Sequence, residues 1–432
     1  LRASIGELKN RNASAIESLQ AIGIAGHMHG ATLLDKNGEI LHPCILWNDT
    51  RSYKQASILD KEENLREITG NIVFPGFTAP KLLWIQDNKP ELFEQVAKVL
   101  LPASYLGYYL TGEFFMDMSD AAGTSWLDVG NRCWSEYALK ASNMRSDQMP
   151  KLLEGTQVAS SVSEFIADEL GIPSGVSVVA GAGDNAAAAC GVGITKEGQG
   201  FVSIGTSGVL LTARDTYTPL AHSAVHTFCH AIPKTWYQMG VILSATDSLN
   251  WLSSITGKSP KELSEGLGHK INGPSFEKFY PYLSGERTPL NDAHIRGGFS
   301  GLSTNSNRMK LTQAVLEGVA FALCDCLEVL KKAGPCPDQL LAIGGGSRSR
   351  FWLETIATTL NTTIARPIDG EYGAAMGAAR LAILGKTSEP LNNIVSHPNI
   401  SETIEPRTDL SDLYSEAFNL YKTAPSHLKS IQ

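Results

Sequence analysis

The chain has no uninterrupted apolar run approaching the ~18 residues that a membrane-spanning helix needs. Its opening residues, LRASIGELKNRN, hold no apolar core of a secretory signal. No Cys-x-x-Cys pair occurs. The seven cysteines stand at 44, 133, 190, 229, 324, 326 and 336, an odd number in a long chain, which argues against a disulfide framework and for a reducing cytoplasm. Cys324 and Cys326, one residue apart on an expected helix, point away from each other and make a poor metal pair. Neither a dinucleotide-binding GxGxxG nor a GxxxxGK[ST] phosphate loop is found. Basic excess is missing as well: 36 Lys and Arg against 44 Asp and Glu give a net charge of −8. That argues against a broad nucleic-acid-binding face while leaving room for a local basic pocket.

What is present is ordinary globular composition, 432 residues with 43% apolar and 19% charged, enough for two or three domains with large cores. Ile22-Gly-Ile-Ala25 is a short apolar run leading into Gly26-His-Met-His-Gly30. Asp35-Lys-Asn-Gly38 carries the Asn-Gly signature of a hairpin turn, with a further strand expected from Ile40 to Trp47. Residues 50–115 read as mainly helical, with breaks at Pro75-Gly76, Pro90 and Pro102, and the aromatic residues between 105 and 134 read mostly as core. A strand from Gly175 to Ala180 enters the Gly/Ala stretch 181–193. Beyond a boundary near 195, strands at 200–204 and 209–212 flank the turn Gly205-Thr-Ser-Gly208. Residues 311–333 form an amphipathic helix, Leu340 to Ile343 is a buried strand running into Gly344-Gly-Gly-Ser-Arg-Ser349, and a helical tail is expected after about 386.

Two segments echo each other. Asp184-Asn-Ala-Ala-Ala-Ala-Cys-Gly191 and Tyr372-Gly-Ala-Ala-Met-Gly-Ala-Ala379 are both small-residue helices after a glycine turn. Helices faced with Ala and Gly can pack backbone to backbone. Crossing between two similar domains they would make a hinge; close packing without motion is the equal alternative.

Four places could carry chemistry. A tight turn with glycine at both ends, such as Gly205-Thr206-Ser207-Gly208, can aim several N–H groups into one concavity and suits phosphate oxygens, although a plain hairpin turn is the commoner use of so short a motif. The three glycines 344–346, between a strand and a helix start, let a flat ring or a phosphate approach the backbone. Asp184 sits at a strand's C-terminal edge, where a carboxylate could take a proton from a substrate hydroxyl; as a helix-starting residue it could equally be a cap. His27 and His29 would share one face of a strand and could bind a metal or a polyol. His222, His226 and His230 have zinc-like spacing only if helical, and Val225, Thr227 and Phe228 favour a strand, which removes that logic.

As a set, these motifs resemble the FGGY family of carbohydrate kinases. The match rests on Gly26-His-Met-His-Gly-Ala-Thr-Leu-Leu-Asp35, Ile45-Leu-Trp-Asn-Asp49, Pro75-Gly-Phe-Thr-Ala-Pro-Lys-Leu-Leu-Trp84 and Asp117-Met-Ser-Asp-Ala-Ala-Gly-Thr124. It continues through Gly183-Asp-Asn185, Ser203-Ile-Gly-Thr-Ser-Gly208, Pro281-Tyr-Leu-Ser-Gly-Glu-Arg-Thr-Pro289 and Gly344-Gly-Gly346, in the family's order over nearly the whole chain. Lys81 and Trp84 of the first family signature are in place; Lys310, where a polar non-lysine residue is usual, and His27, where glutamine is found, depart from the pattern.

The resemblance implies an α/β, two-domain ribonuclease H-like (actin-like) fold with ATP and sugar in the cleft. The implied division is 1–195 for the sugar-binding domain, incomplete at its start, 196–385 for the nucleotide-binding domain and 386–432 for the helical tail. It implies Asp184 as general base, Met28, His29 and Asn185 as substrate contacts, Gly205, Thr206 and Ser207 as a phosphate loop, and Gly344, Gly345 and Gly346 as nucleotide contacts. The implied reaction is ATP- and Mg²⁺-dependent phosphorylation of a sugar in the cytoplasm, D-xylulose first, with ribulose, gluconate or a non-catalytic sensor as alternatives; a homodimer is compatible with it. Members of the family begin with Asp-Leu-Gly-Thr-Ser, a first phosphate loop whose aspartate helps hold Mg²⁺. This chain begins at Leu1 without it, so the resemblance implies a few dozen residues ahead of Leu1, no metal ligand within the present sequence, and catalysis that depends on that segment.

Overall fold

The computed structural model describes residues 1–368, 370 and 373–431; Tyr372, the first residue of the second small-residue stretch, lies outside them. The first half is built on a three-stranded sheet of β1 (Ala21–Gly26), β2 (Val158–Ser161) and β3 (Ser177–Gly183), in the order β1-β3-β2. β1 runs parallel to β3 with Gly26 opposite Gly183, so both strands end at the same edge. All of β3 is buried. Its strand extends into the glycines because a Cβ at Gly181, whose φ is +81°, would stand 1.9 Å from the Ile24 carbonyl oxygen. Only glycine lets the two backbones approach there.

Around this sheet lie α1 (Thr78–Asn88), α2 (Pro102–Thr111) and the short α3 (Met118–Ala122). Pro102 occupies the first turn of α2, where its missing N–H costs nothing. Asp117 caps α3 by accepting from the amides of Ser119 and Asp120. The expected strand from Ile40 to Trp47 does not form. Isolated bridges join Leu34 to Ile40 and Ala31 to Ile45, and Pro43 has no N–H to extend a ladder between them.

The second half is a seven-stranded sheet. Its strands are β4 (Gly200–Ile204), β5 (Gly208–Arg214), β6 (His226–Cys229), β7 (Trp236–Ile242), β8 (Gln339–Ile343), β9 (Thr363–Pro367) and β10 (Ile400–Ile404), in the order β6-β7-β5-β4-β8-β9-β10. β4, β8 and β9 are mutually parallel and the rest pair antiparallel. β10 replaces part of the expected helical tail: residues 400–404 alternate poorly, but they close the sheet's edge against β9. α5 (Arg308–Leu330), α6 (Arg350–Leu360) and α8 (Ser411–Ile431) cover one face over an apolar core that includes Val319, Trp352, Tyr421 and Leu340.

The two small-residue helices, α4 (Asp184–Gly191) and α7 (Gly373–Lys386), cross at backbone distance. A Cβ at Gly191 would stand 1.8 Å from the Gly373 carbonyl oxygen, and one at Gly377 1.8 Å from that of Ala187. α7 also meets the first sheet, where a Cβ at Gly23 would fall 2.0 Å from the Ala378 carbonyl oxygen. Beneath the crossing, Ala186, Ala187 and Cys190 share one buried apolar core with Phe201, Leu211, Leu341 and Leu381. The geometry is close packing that joins both sheets.

Candidate functional site

The paired ends of β1 and β3 release two loops side by side. From β3 the chain enters α4 directly, so Asp184 stands on its first turn. Asp184 Oδ1 accepts from the amide of Asn185 at 2.8 Å and from Asn185 Nδ2 at 3.1 Å. The carboxylate is reached by solvent, yet protein crowds it on its other sides, as on the floor of a groove. That partial desolvation pushes its pKa up, opposed by the Asn185 donors and by His27. Asp184 therefore sits neither in a dry interior nor on an outer surface.

From β1 the chain enters a turn, not the strand expected to align His27 with His29. His29 adopts φ +66°. Its Nδ1 lies 2.7 Å from the Gly123 carbonyl oxygen, and its ring stacks on Phe77 with centroids 4.5 Å apart. Burial drives its pKa down to about 3. The ring is thus neutral, Nδ1–H donates to Gly123, and Nε2 is left as an acceptor. Lys81 of α1 is fully buried and donates from Nζ to the His29 carbonyl at 2.8 Å; desolvation brings its pKa to about 7. Met28, expected as a substrate contact, turns its side chain into the core beside Gly183 and Tyr237, so only its backbone faces the turn.

Below the two strand ends lies α3. The amide of Gly183 donates to Ser119 Oγ at 2.9 Å, and Ser119 Oγ bonds Asp117 Oδ1. Asp120 is fully buried between Gly26 and Gly183, and neither of its carboxyl oxygens has a hydrogen-bond partner among the described residues. Desolvation holds it well above the usual carboxylate range, with Asp117 and Asp184 adding to the effect. An aromatic wall closes the groove: His226 stacks on Phe228 at 5.2 Å, Phe74 meets Phe77 edge-on at 5.5 Å, and the Arg287 guanidinium lies 5.0 Å over Phe74.

The glycine loops of the second half sit at the C-terminal ends of the parallel pair β4 and β8, where open α/β sheets bind ligands. In the β4–β5 turn the Gly205 carbonyl accepts from the Thr246 amide at 2.9 Å, and the Thr206 carbonyl from the Ala245 amide at 2.8 Å. The amides of Thr206 and Ser207 have no backbone partner among the described residues, and both side chains are exposed. Gly344 (φ +84°) and Gly346 press on Ile204, where added Cβ atoms would come within 2.9 and 2.3 Å of it. Gly345 has nothing within 4 Å of its Cβ position. It opens onto a cavity of about 420 Å³ lined also by Ala188, Ser203, Gly344, Arg348 and Gly373. A second cavity of about 240 Å³ shares Gly344 and Arg348 and extends to Arg366 and Ser401. Since Ala188 lies one helical turn beyond Asp184, α4 carries the carboxylate at its start and a cavity wall along its side.

Asp184, Asn185, His29 and the backbone of Met28 are thus gathered at one end of the groove, and the 205–207 and 344–346 loops at the C-terminal edge of the second sheet. Among the described residues no group of three or more His, Cys, Asp or Glu side chains could hold a metal ion. His226 and His230 are buried, on or just past strand β6, while His222 is exposed. Sequence reasoning assigned no role to Ser119, Asp120, Phe77, His226 or Arg287. Ser119, Asp120, Phe77 and Arg287 lie inside motifs that were recognised, but nothing in their spacing brings chain segments 50 to 200 residues apart to one groove.

Comparison with known proteins gives a consistent picture. The N-terminal domain of the FGGY family of carbohydrate kinases matches residues 3–191 and the C-terminal domain of the same family matches residues 200–385. A xylulose kinase of Escherichia coli (strain K12) is 44% identical over 377 residues, 87% of this chain and 78% of that protein. The crystal structure of a xyloylose kinase from Brucella ovis superposes with a TM-score of 0.97 at 50% identity, over 100% of this chain and 89% of that one. That of a xylulose kinase from Rhodospirillum rubrum does so at 0.91 and 25% identity, over 100% and 88%.

Proposed function

Because this chain belongs to the FGGY family of carbohydrate kinases and has their ribonuclease H-like, actin-like fold, we propose that it transfers the γ-phosphoryl group of ATP to D-xylulose, giving D-xylulose 5-phosphate. The observation that carries this reading is Asp184: a carboxylate on the floor of a groove, at the start of a helix whose next turn lines the cavity beside the glycine loops. Its likeness over most of the chain to xylulose kinases supports the choice of sugar.

Phosphoryl transfer asks a protein mainly to position its substrates and to neutralise charge. In this reading His29 Nε2 and Asn185 hold the sugar hydroxyls, and Asp184 accepts the proton of the hydroxyl that attacks. The free amides of Thr206 and Ser207 meet phosphate oxygens, and Gly345 lets the nucleotide lie against the backbone. The oxygen–phosphorus bond to the sugar forms as the bond to the ADP oxygen breaks. Among the described residues no group of three or more acidic or His/Cys side chains is placed to hold Mg²⁺; as the companion of ATP it would neutralise phosphate charge. The groove between domains 1–195 and 196–385 is the working division. The seven free cysteines support a reducing, cytoplasmic setting.

An ADP-release assay on the full-length protein with D-xylulose, L-ribulose, gluconate and glycerol tests the proposal. D-Xylulose is expected to give the highest kcat/KM. A higher value for another of the four would change the substrate, and ADP release with none of them would end the kinase reading.

A further inference from the structure

Arg287 is a strong cation of the second half that reaches the aromatic wall of the groove. It follows Glu286, which is buried and anchors the loop: Glu286 Oε1 accepts from the Leu243 amide at 3.0 Å and from the Arg287 amide at 2.8 Å. The guanidinium is steered from two sides. It lies 5.0 Å over the Phe74 ring, and its Nη1 is 3.3 Å from His226 Nε2. His226 Nδ1 is in turn 3.3 Å from Asn71 Oδ1, which also accepts from the Thr227 amide at 3.1 Å. With Nδ1–H spent on Asn71, the neutral His226 ring presents Nε2 as an acceptor to Arg287.

Among the described residues no carboxylate lies within ion-pair distance of this guanidinium, Glu286 acting on it only through space, and its Nε and Nη2 have no hydrogen-bond partner. A half-buried arginine held by a ring and a neutral imidazole keeps most of its five donors unspent. The titratable groups that face it are Glu286 on its own loop and the neutral His226 and His29 from the wall. His29 stands on the same turn as His27, the residue facing Asp184. The turn 27–29 thus lies between Asp184, which acts on His27, and Arg287, which acts on His29.

Resting on the kinase reading above, we propose that Arg287 is a specificity-determining residue that donates hydrogen bonds to the ketose oxygens at the sugar end remote from the phosphorylated hydroxyl, O1 and O2 of D-xylulose. The preset guanidinium reads a planar carbonyl with its neighbouring hydroxyl, a pair that glycerol lacks. Phe74 and His226 fix the fork, so the sugar meets donors already aimed.

The test uses the full chain and the variants Arg287→Lys and Arg287→Gln. Binding of D-xylulose and of 1-deoxy-D-xylulose is measured by calorimetry, alongside KM for sugar and for ATP. A lost hydrogen bond to a charged donor corresponds to about tenfold to a hundredfold in affinity. Arg287→Gln should weaken D-xylulose by that factor, Arg287→Lys by less, and KM for ATP should stay within about twofold. In the wild type the 1-deoxy sugar should bind more weakly than D-xylulose; in Arg287→Gln that gap should shrink towards none, which a merely structural role for Arg287 would not produce. A wild type that binds D-xylulose, with both variants binding it equally well or with the 1-deoxy gap unchanged, overturns this inference alone. A wild type that binds no D-xylulose overturns the kinase reading and this inference together.

Discussion

The amide of Gly183 donates to Ser119 Oγ at 2.9 Å, so the residue immediately before Asp184 is tied to α3 through a buried hydroxyl. Ser119 is bonded in turn to Asp117, which caps the same helix. The position of the carboxylate is therefore set from beneath, by a segment some 65 residues earlier in the chain.

Replacing Ser119 by Ala leaves the Gly183 amide buried without an acceptor, at a cost of about 1–3 kcal/mol. The expected outcome is a drop of about tenfold in kcat with sugar KM changed less than twofold, since the hydroxyl positions the base and does not touch the sugar. Steady-state kinetics at saturating ATP checks the split; a purely KM effect would contradict it.

Asp184→Ala should lower kcat by about 10²–10⁴, the usual worth of a positioned base, while ATP binding measured by calorimetry is kept. The base must be ionised to accept a proton, and its pKa is raised by burial. Activity in the wild type should therefore fall on the acid side at a pH above the ordinary carboxylate value of about 4. Asn185→Ala keeps the backbone amide but removes the Nδ2 donor that favours the charged form and should move that acid limb to still higher pH. A limb that stays put in the variant would show that Asp184 is not the group titrating.

Two glycines with opposite surroundings separate packing from binding. A methyl at Gly377 would meet the Ala187 carbonyl oxygen at 1.8 Å, and backbone cannot give way cheaply there. Gly377→Ala should lose upwards of about 2 kcal/mol of stability, read as a fall in urea midpoint. Gly345→Ala, with nothing within 4 Å, should leave the midpoint unchanged and raise KM for ATP several-fold.

His230 supplies a stability test. It is fully buried, its Nδ1 accepts from the Ile232 amide at 3.1 Å, and desolvation lowers its pKa to about 3. Above about pH 6.5 the ring is neutral folded and unfolded alike. Between about pH 6.5 and pH 3 only the unfolded chain takes the proton, so this residue costs stability progressively as pH falls, up to a few kcal/mol. His230→Asn keeps an acceptor without the titration. Its urea midpoint relative to wild type should therefore rise as pH drops from neutrality towards 5; a constant gap would refute the assignment.

Much of this was legible in the sequence. The Gly and Ala runs at 184–191 and 373–382 announced helices able to touch at backbone distance, and Gly191 and Gly377 do so. The turn at 205–208 and the loop at 344–346 were visible because glycine spacing is a local signal. What escaped depends on distant pairing. β10 has no strong alternation of its own and exists because β9 offers an edge. His27 and His29 left the strand because the pairing of β1 with β3 stops at Gly26. Arg287 gains a role only through Phe74 and His226, more than 60 residues away on either measure.

The glycine contacts between α4 and α7 carry a consequence for recombining relatives of this protein. A hybrid that takes its first half from one kinase and its second from another inherits the two sides of that seam from different parents. One extra methyl at either side would hold the halves apart, whatever the quality of each alone. Successful shuffling should therefore exchange the segments around 184–191 and 373–386 as a matched pair, leaving the sugar-facing turns free to vary.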